Sequence, residues 1–242
     1  MTTNVYDKNT LKAGTDSRWS MTKEFAFFFV DNSGFEKIVA TENAIFVFAG
    51  DSLVIQQWKD FLFSEHTALE QPNLDGIAML MVDKTTGDVI FSHGQDIQPA
   101  DEESRVVASF AGSGARHAAG CWMQNRDVVR SINTAKLFDL YSGGDTKYFE
   151  LQANNGNLTE DVGLAGLNRA FMERGMVMYL ANGQAPMSIR DAAAQDDRVK
   201  ELVDGIAKGS LSLSAPCDAQ FIKPTQEDKD RLKAALDLVM RR

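Results

Sequence analysis

The sequence predicts an α/β (α+β) sandwich: two antiparallel sheets with helices outside them, an αββα order of four layers, and a C-terminal helical extension. Three observations predict it. Short apolar runs separated by turn residues fill the first half and imply hairpins, hence antiparallel pairing. Two helix patterns and one more strand follow, an order that describes two sheets with helices outside rather than a doubly wound parallel sheet. Beyond Asn154-Asn155-Gly156-Asn157 the apolar spacing turns helical and stays so to the end. The chain therefore divides into a sandwich, residues 1–152, and an extension, residues 153–242.

The elements follow in order. Val5-Tyr6 and Leu11 to Thr15 flank the turn residues Asp7-Lys8-Asn9, a first hairpin. Phe25 to Val30 is an aromatic strand closed by Asp31-Asn32-Ser33-Gly34. Lys37 to Ala40 and Ala44 to Ala49 form a second hairpin around Glu42-Asn43. Asp51 or Ser52 caps a helix whose inner face carries Val54, Trp58, Phe61 and Leu62. Ile77 to Val82 and Val89 to Phe91 flank Lys84-Thr85-Thr86-Gly87. A strand from Val106 to Ala111 runs through Gly112-Ser113-Gly114 into a helix containing Ala118 and Trp122. Asp127 to Phe138 is a second helix and Tyr148 to Leu151 a last strand. In the extension, Leu164, Leu167 and Phe171 share one helix face. Val199, Leu202, Val203 and Ile206 share another, and Leu232, Ala235, Leu236 and Val239 a third. Thr225 with Asp228, after Pro224, forms a capping box with Asp in place of Glu.

Composition narrows the function. With 242 residues, 44% of them hydrophobic, the chain can bury a sizeable core. A net charge of −9 argues against non-specific nucleic-acid binding and against an anionic membrane surface. The two cysteines, Cys121 and Cys217, lie far apart and suit a reducing cytosol. His66, His93 and His117 do not cluster with cysteines or with each other, so neither a metal nor another cofactor is expected. Charged residues through the first twenty positions leave no room there for an apolar leader, and no later run is long enough to span a membrane.

Chemistry enters at Thr2. A threonine exposed by removal of Met1 carries a hydroxyl nucleophile and an α-amine base on one residue, and that amine has an ordinary pKa of about 7.7–8.0. Four further segments accompany it: Ala13-Gly14-Thr15-Asp16-Ser17-Arg18; Lys37, followed by Phe48-Ala49-Gly50; Gly112-Ser113-Gly114; and Asp139-Leu140-Tyr141-Ser142-Gly143-Gly144. Singly, each has an ordinary reading: a polar strand end, a solvated lysine, a strand-to-helix turn, a helix end closed by glycine. Together and in this order, from Thr2 to about Leu151, they resemble the proteasome β-subunit family of N-terminal nucleophile hydrolases, which includes the HslV-type bacterial proteases. The last segment is the most specific, being similar to the family's Asp-x-Tyr-Ser-Gly-Gly signature.

The resemblance implies roles. Thr2 would be the nucleophile. Lys37 would supply positive charge beside it, and a partly buried ammonium needs a carboxylate partner, the part Asp16 would take. Ser113, Asp139 and Ser142 would hold the α-amine. The Gly50 N–H would donate to the oxyanion, and glycine there would let substrate backbone approach. Phe48 would floor the pocket for the residue before the scissile bond and favour small or medium apolar side chains. The chain departs from the family in a shorter Thr2–Asp16 interval, a longer and more aromatic Phe25–Gly34 stretch, Asp51 where a second glycine is usual, and a compact Ser113–Asp139 interval. The extension from about Ala153 has no counterpart in the core family and is expected to cap a ring face, extend a subunit interface or gate entry.

The implied function is a cytoplasmic threonine peptidase acting on peptides or proteins inside a self-assembled ring. An unfoldase ATPase would be a separate chain, because no nucleotide-binding loop is present in this one. Two alternatives stand beside it: an inactive ring or scaffold protein, and an amidohydrolase of the same superfamily acting on a small amide. The peptidase reading requires removal of Met1, since otherwise Thr2 has no amine of its own.

Overall fold

The computed structural model describes residues 2–64, 70–181 and 185–240. Met1 and His66 lie outside the described residues. The chain opens with a hairpin of β1 (Asn4–Asp7) and β2 (Lys12–Asp16), then a second of β3 (Trp19–Lys23) and β4 (Ala26–Val30). The Phe25–Gly34 stretch is thus largely strand β4 and the turn after it. β5 (Ile38–Ala40) pairs with β6 (Ala44–Asp51), which leads into α1 (Ser52–Phe63) with Asp51 as its cap. Then come β7 (Ile77–Asp83), β8 (Val89–His93), β9 (Ala108–Ala111), α2 (Ala115–Asn125), α3 (Val128–Phe138), β10 (Thr146–Glu150) and β11 (Asn155–Gly156). The remainder contains α4 (Gly163–Arg174), β12 (Met176–Tyr179), β13 (Met187–Ser188), α5 (Ile189–Ala193), α6 (Asp197–Ala207), β14 (Ser214–Ala215), a 3₁₀ turn (Asp218–Phe221) and α7 (Gln226–Met240).

Among the described residues these strands form two antiparallel sheets. The first runs β11-β10-β2-β1-β9 and the second β13-β12-β4-β3-β14-β6-β7-β8, with β5 also on β6. Strand alternation sorts the apolar side chains between faces. Tyr6, Ala13 and Phe149 of the first sheet meet Ile45, Val47 and Leu80 of the second in one core. On the other face of the first sheet, Val5 and Phe110 pack with Trp122 of α2 and Ile132 of α3. On the other face of the second, Trp19, Phe46 and Phe48 pack with Trp58, Phe171, Ile206 and Leu236 of the helices.

The segment from 153 onward is more than helices. β12 hydrogen-bonds β4, and β14 lies between β3 and β6, so both complete a sheet begun by the first half. Sequence reasoning named neither of these strands, nor β3. In β3 only Trp19 and Met21 are apolar, and β14 is two residues long, too short to display a period. The capping box is present: Thr225 Oγ1 donates to Asp228 Oδ2 at 2.8 Å, and Asp228 N–H returns to Thr225 Oγ1 at 3.1 Å.

Candidate active site

β1 and β2 bring Thr2 and Asp16 together across the first hairpin, and Lys37 reaches them from the residue before β5. The Lys37 ammonium donates to Thr2 Oγ1 at 2.6 Å and to Asp16 Oδ1 at 3.2 Å, and the Thr2 hydroxyl donates to Asp16 Oδ1. Asp16 takes more donors than these. Thr3 N–H reaches Oδ1 at 2.8 Å, and the N–H groups of Arg18 and Gly143 reach Oδ2 at 3.0 and 3.1 Å. Thr2, Asp16 and Lys37 are all buried. The Trp19 ring lies 5.4 Å from the ammonium, adding a cation–π contact.

Removing two charges from water costs several kcal/mol per ion, so the pair persists only because its hydrogen bonds are met. Burial alone would push the Asp16 carboxyl up, but the Lys37 charge and the bonds from Thr2, Thr3 and Gly143 outweigh it and hold the carboxyl below the usual range. Burial pushes the Lys37 ammonium down, and Asp16 opposes that shift. The Thr2 oxygen thus faces a cation whose proton is held less tightly than that of an ordinary lysine.

The second cluster joins the first through Thr3. Ser113 Oγ and Ser142 Oγ donate to Asp139 Oδ2 at 2.5 and 2.6 Å. Thr3 Oγ1 lies 2.7 Å from Ser142 Oγ. α3 positions this group by ending at Phe138, with Asp139 as its C-cap and the Gly143 N–H turned to Asp16. Arg18 ties the same loop down, donating to Asp31 at 2.8 Å and to the Leu140 carbonyl at 2.7 Å. Gly112 approaches the Thr2 backbone so closely that a Cβ there, at φ +91°, would lie 2.0 Å from the Thr2 carbonyl oxygen. Sequence reasoning did not single out Thr3, and a threonine beside a candidate nucleophile carries no signal of its own.

Phe48, expected at the base of the pocket, and Gly50, expected to supply the oxyanion N–H, both lie on β6. Phe48 presents only its backbone to this region: its N–H bonds the Lys37 carbonyl at 2.8 Å and its carbonyl accepts from Asn4 Nδ2 at 2.9 Å. Its ring belongs to the packed core with Trp19, stacked 6.2 Å from Phe46, and fills space there. Gly50 has φ +118°, and a Cβ would lie 2.2 Å from the Gly76 carbonyl oxygen, so neighbouring backbone already demands glycine. It sits opposite Ile77 of β7 and Ala215 of β14.

Among the described residues no group of three or more His, Cys, Asp or Glu is placed to hold a metal ion, and no helix is long and apolar enough to cross a membrane. No family model and no curated protein matches the chain. Among solved structures it is similar to Thiobacillus denitrificans BPH in complex with epoxomicin, at 12% identity over 62% of this chain and 97% of that one, with a TM-score of 0.37. It is also similar to the eukaryotic HslV from Trypanosoma brucei, at 14% identity over 55% of this chain and 99% of that one, with a TM-score of 0.25.

Proposed function

We propose that this chain is a threonine peptidase of the proteasome and HslV type, with Thr2 as its nucleophile once Met1 is removed. The observation that carries the reading is the buried contact of Thr2 Oγ1 with both Lys37 and Asp16. A buried ion pair costs stability unless it serves something, and here both ions converge on one hydroxyl oxygen. In the proposed reaction Thr2 Oγ attacks a peptide carbonyl. Its proton passes to the freed α-amine, which the Ser113–Asp139–Ser142 group orients. Lys37 lowers the energy of the developing alkoxide, and the Gly50 N–H receives the oxyanion. The amine then protonates the leaving group, and water releases the acyl-enzyme.

At larger scale we read the stacked cores as a four-layer αββα body, residues 1–152 carrying the chemistry and 153–242 extending it. Copies would assemble into a cytoplasmic ring enclosing the sites, with an unfoldase ATPase, where needed, on another chain. A specific observation favours a second reading, an inactive ring or scaffold protein: Thr2 has no exposed surface. A peptide epoxyketone, which reacts with a hydroxyl and the amine of the same residue, separates the two. Protein lacking Met1 should gain the inhibitor's mass at Thr2, and Lys37→Met, checked for folding, should lose that reaction by at least 100-fold. An unlabelled, folded chain with a free Thr2 points to the scaffold.

A further inference from the structure

Lys136 stands in the last turn of α3, where a basic side chain ordinarily serves the helix end. This one reaches past it. Its ammonium donates to the Gly144 carbonyl at 2.8 Å, to Thr146 Oγ1 at 2.6 Å and to Asn133 Oδ1 at 3.3 Å. Those bonds use all three of its N–H groups, and the two shorter ones go to the loop and strand beyond the helix. None of the three acceptors is a carboxylate. The Thr146 hydroxyl donates in turn to Asn133 Oδ1 at 2.7 Å, so it is fixed as well.

The loop that Lys136 fastens is the one that wraps Asp16. Gly143 N–H donates to Asp16 Oδ2 at 3.1 Å, and the Gly143 carbonyl accepts from Ser17 N–H at 3.1 Å. Gly144, at φ +66°, lies so close to Ser17 that a Cβ would be 2.2 Å from Ser17 Oγ. Thr146, the first residue of β10, is the ladder partner of Asp16 itself. One ammonium therefore holds both the loop over Asp16 and the residue opposite it.

Charge points the same way. Lys136 is half-buried, and burial pushes its ammonium down from the ordinary range. Among the charges that face it, Asp16 opposes that shift most, with Asp145 and Asp31 behind it, while Lys37 adds to the shift. Lys37 in turn faces Asp16, Asp31 and Glu36. Two ammonium groups thus look toward one carboxylate, and each makes the other easier to deprotonate.

We propose that Lys136 is a positioning residue of the Thr2 site: it clamps the Ser142–Gly144 loop onto Asp16 and sets a second positive charge facing the Lys37–Asp16 pair. Its effect on cleavage rests on the peptidase reading; its effect on the titration of the site does not. Threonine-methyl labelling of the full, otherwise deuterated chain lets the γ2 methyl groups of Thr2 and Thr3 report by NMR on ionisation around them. Peptide epoxyketone reaction is read on the same samples as a rate against pH. Lys136→Met removes both clamp and charge. The methyl titration midpoint and the acid limb of the labelling rate should each move up by about 0.5 pH unit, because a cation is easier to keep once its like-charged neighbour is gone. Lys136→Arg, which keeps the charge, should return both toward their natural values. A lysine that served only the end of α3 would lower the melting temperature on substitution and leave both midpoints in place. That result overturns the proposal, and so does the absence of any titration at the two methyl groups. If Lys136→Met fails to fold, Lys136→Gln, which keeps donors without the charge, decides by the same midpoints. A shifted methyl midpoint with no labelling in any form counts against the peptidase alone. Labelling with unmoved midpoints counts against Lys136 alone.

Discussion

Lys37 and Asp16 are two buried charges that meet at 3.2 Å and share one threonine oxygen. Asp16→Asn leaves the ammonium without its counter-ion and should cost about 3–5 kcal/mol, measured as a loss of urea midpoint. The acid limb gives a second reading of the same residue. The folded-state pKa of Asp16 is depressed, so its contribution is present above the unfolded value of about 3.9 and is lost as pH falls below it. The natural chain should therefore lose more stability between pH 5 and pH 3 than Asp16→Asn does. Equal losses would show that another carboxylate governs the acid limb. Gly112→Ala tests the backbone approach to Thr2: at φ +91° with the Thr2 carbonyl in the way, it should cost about 1–3 kcal/mol or more. The charged and glycine-marked positions were legible because their residue types are unusual in their settings. Thr3 was not, since a threonine looks alike at surface, cap and site.

At the scale of elements, length and period governed what could be read. α6 and α7 show their apolar faces over three turns or more, and the residues expected inside, Val199, Ile206, Leu232 and Leu236, are buried. The cap of α7 was readable because both partners of a capping box lie at fixed spacing. Thr225→Ala should lower stability by about 1 kcal/mol, seen as a lower melting temperature with the native spectrum kept. No change would mean that α7 is held by its buried face alone. β12 and β14 escaped notice because two to four residues inside a helical region carry no competing period, and their strand identity comes from the edges they join. The extension is in this sense a supplier of strands to the second sheet as well as a set of helices.

For the whole molecule, α2, α3 and the loop after α3 leave large apolar side chains in water: Leu137 is 79% and Phe138 68% exposed, with Met123 and Leu140 exposed as well. Exposed apolar side chains of this size suit a partner surface, and within the proposed ring they are the place to look for contact between copies. Sedimentation of the natural chain should give a mass several times its 26.7 kDa, and Leu137→Asp with Phe138→Ser should reduce it. A stable monomer in both would remove the closed chamber. Which surface would meet another copy was not legible in the sequence, because exposure of a leucine depends on which helix face the sheets cover. The most direct test is the intact mass of the natural protein before and after a peptide epoxyketone, with the adduct located by fragmentation. The prediction is a chain that lacks Met1 and gains one inhibitor, carried by Thr2. A chain that keeps Met1, or one that lacks it and gains nothing while assembled, would contradict the assignment of Thr2 as nucleophile.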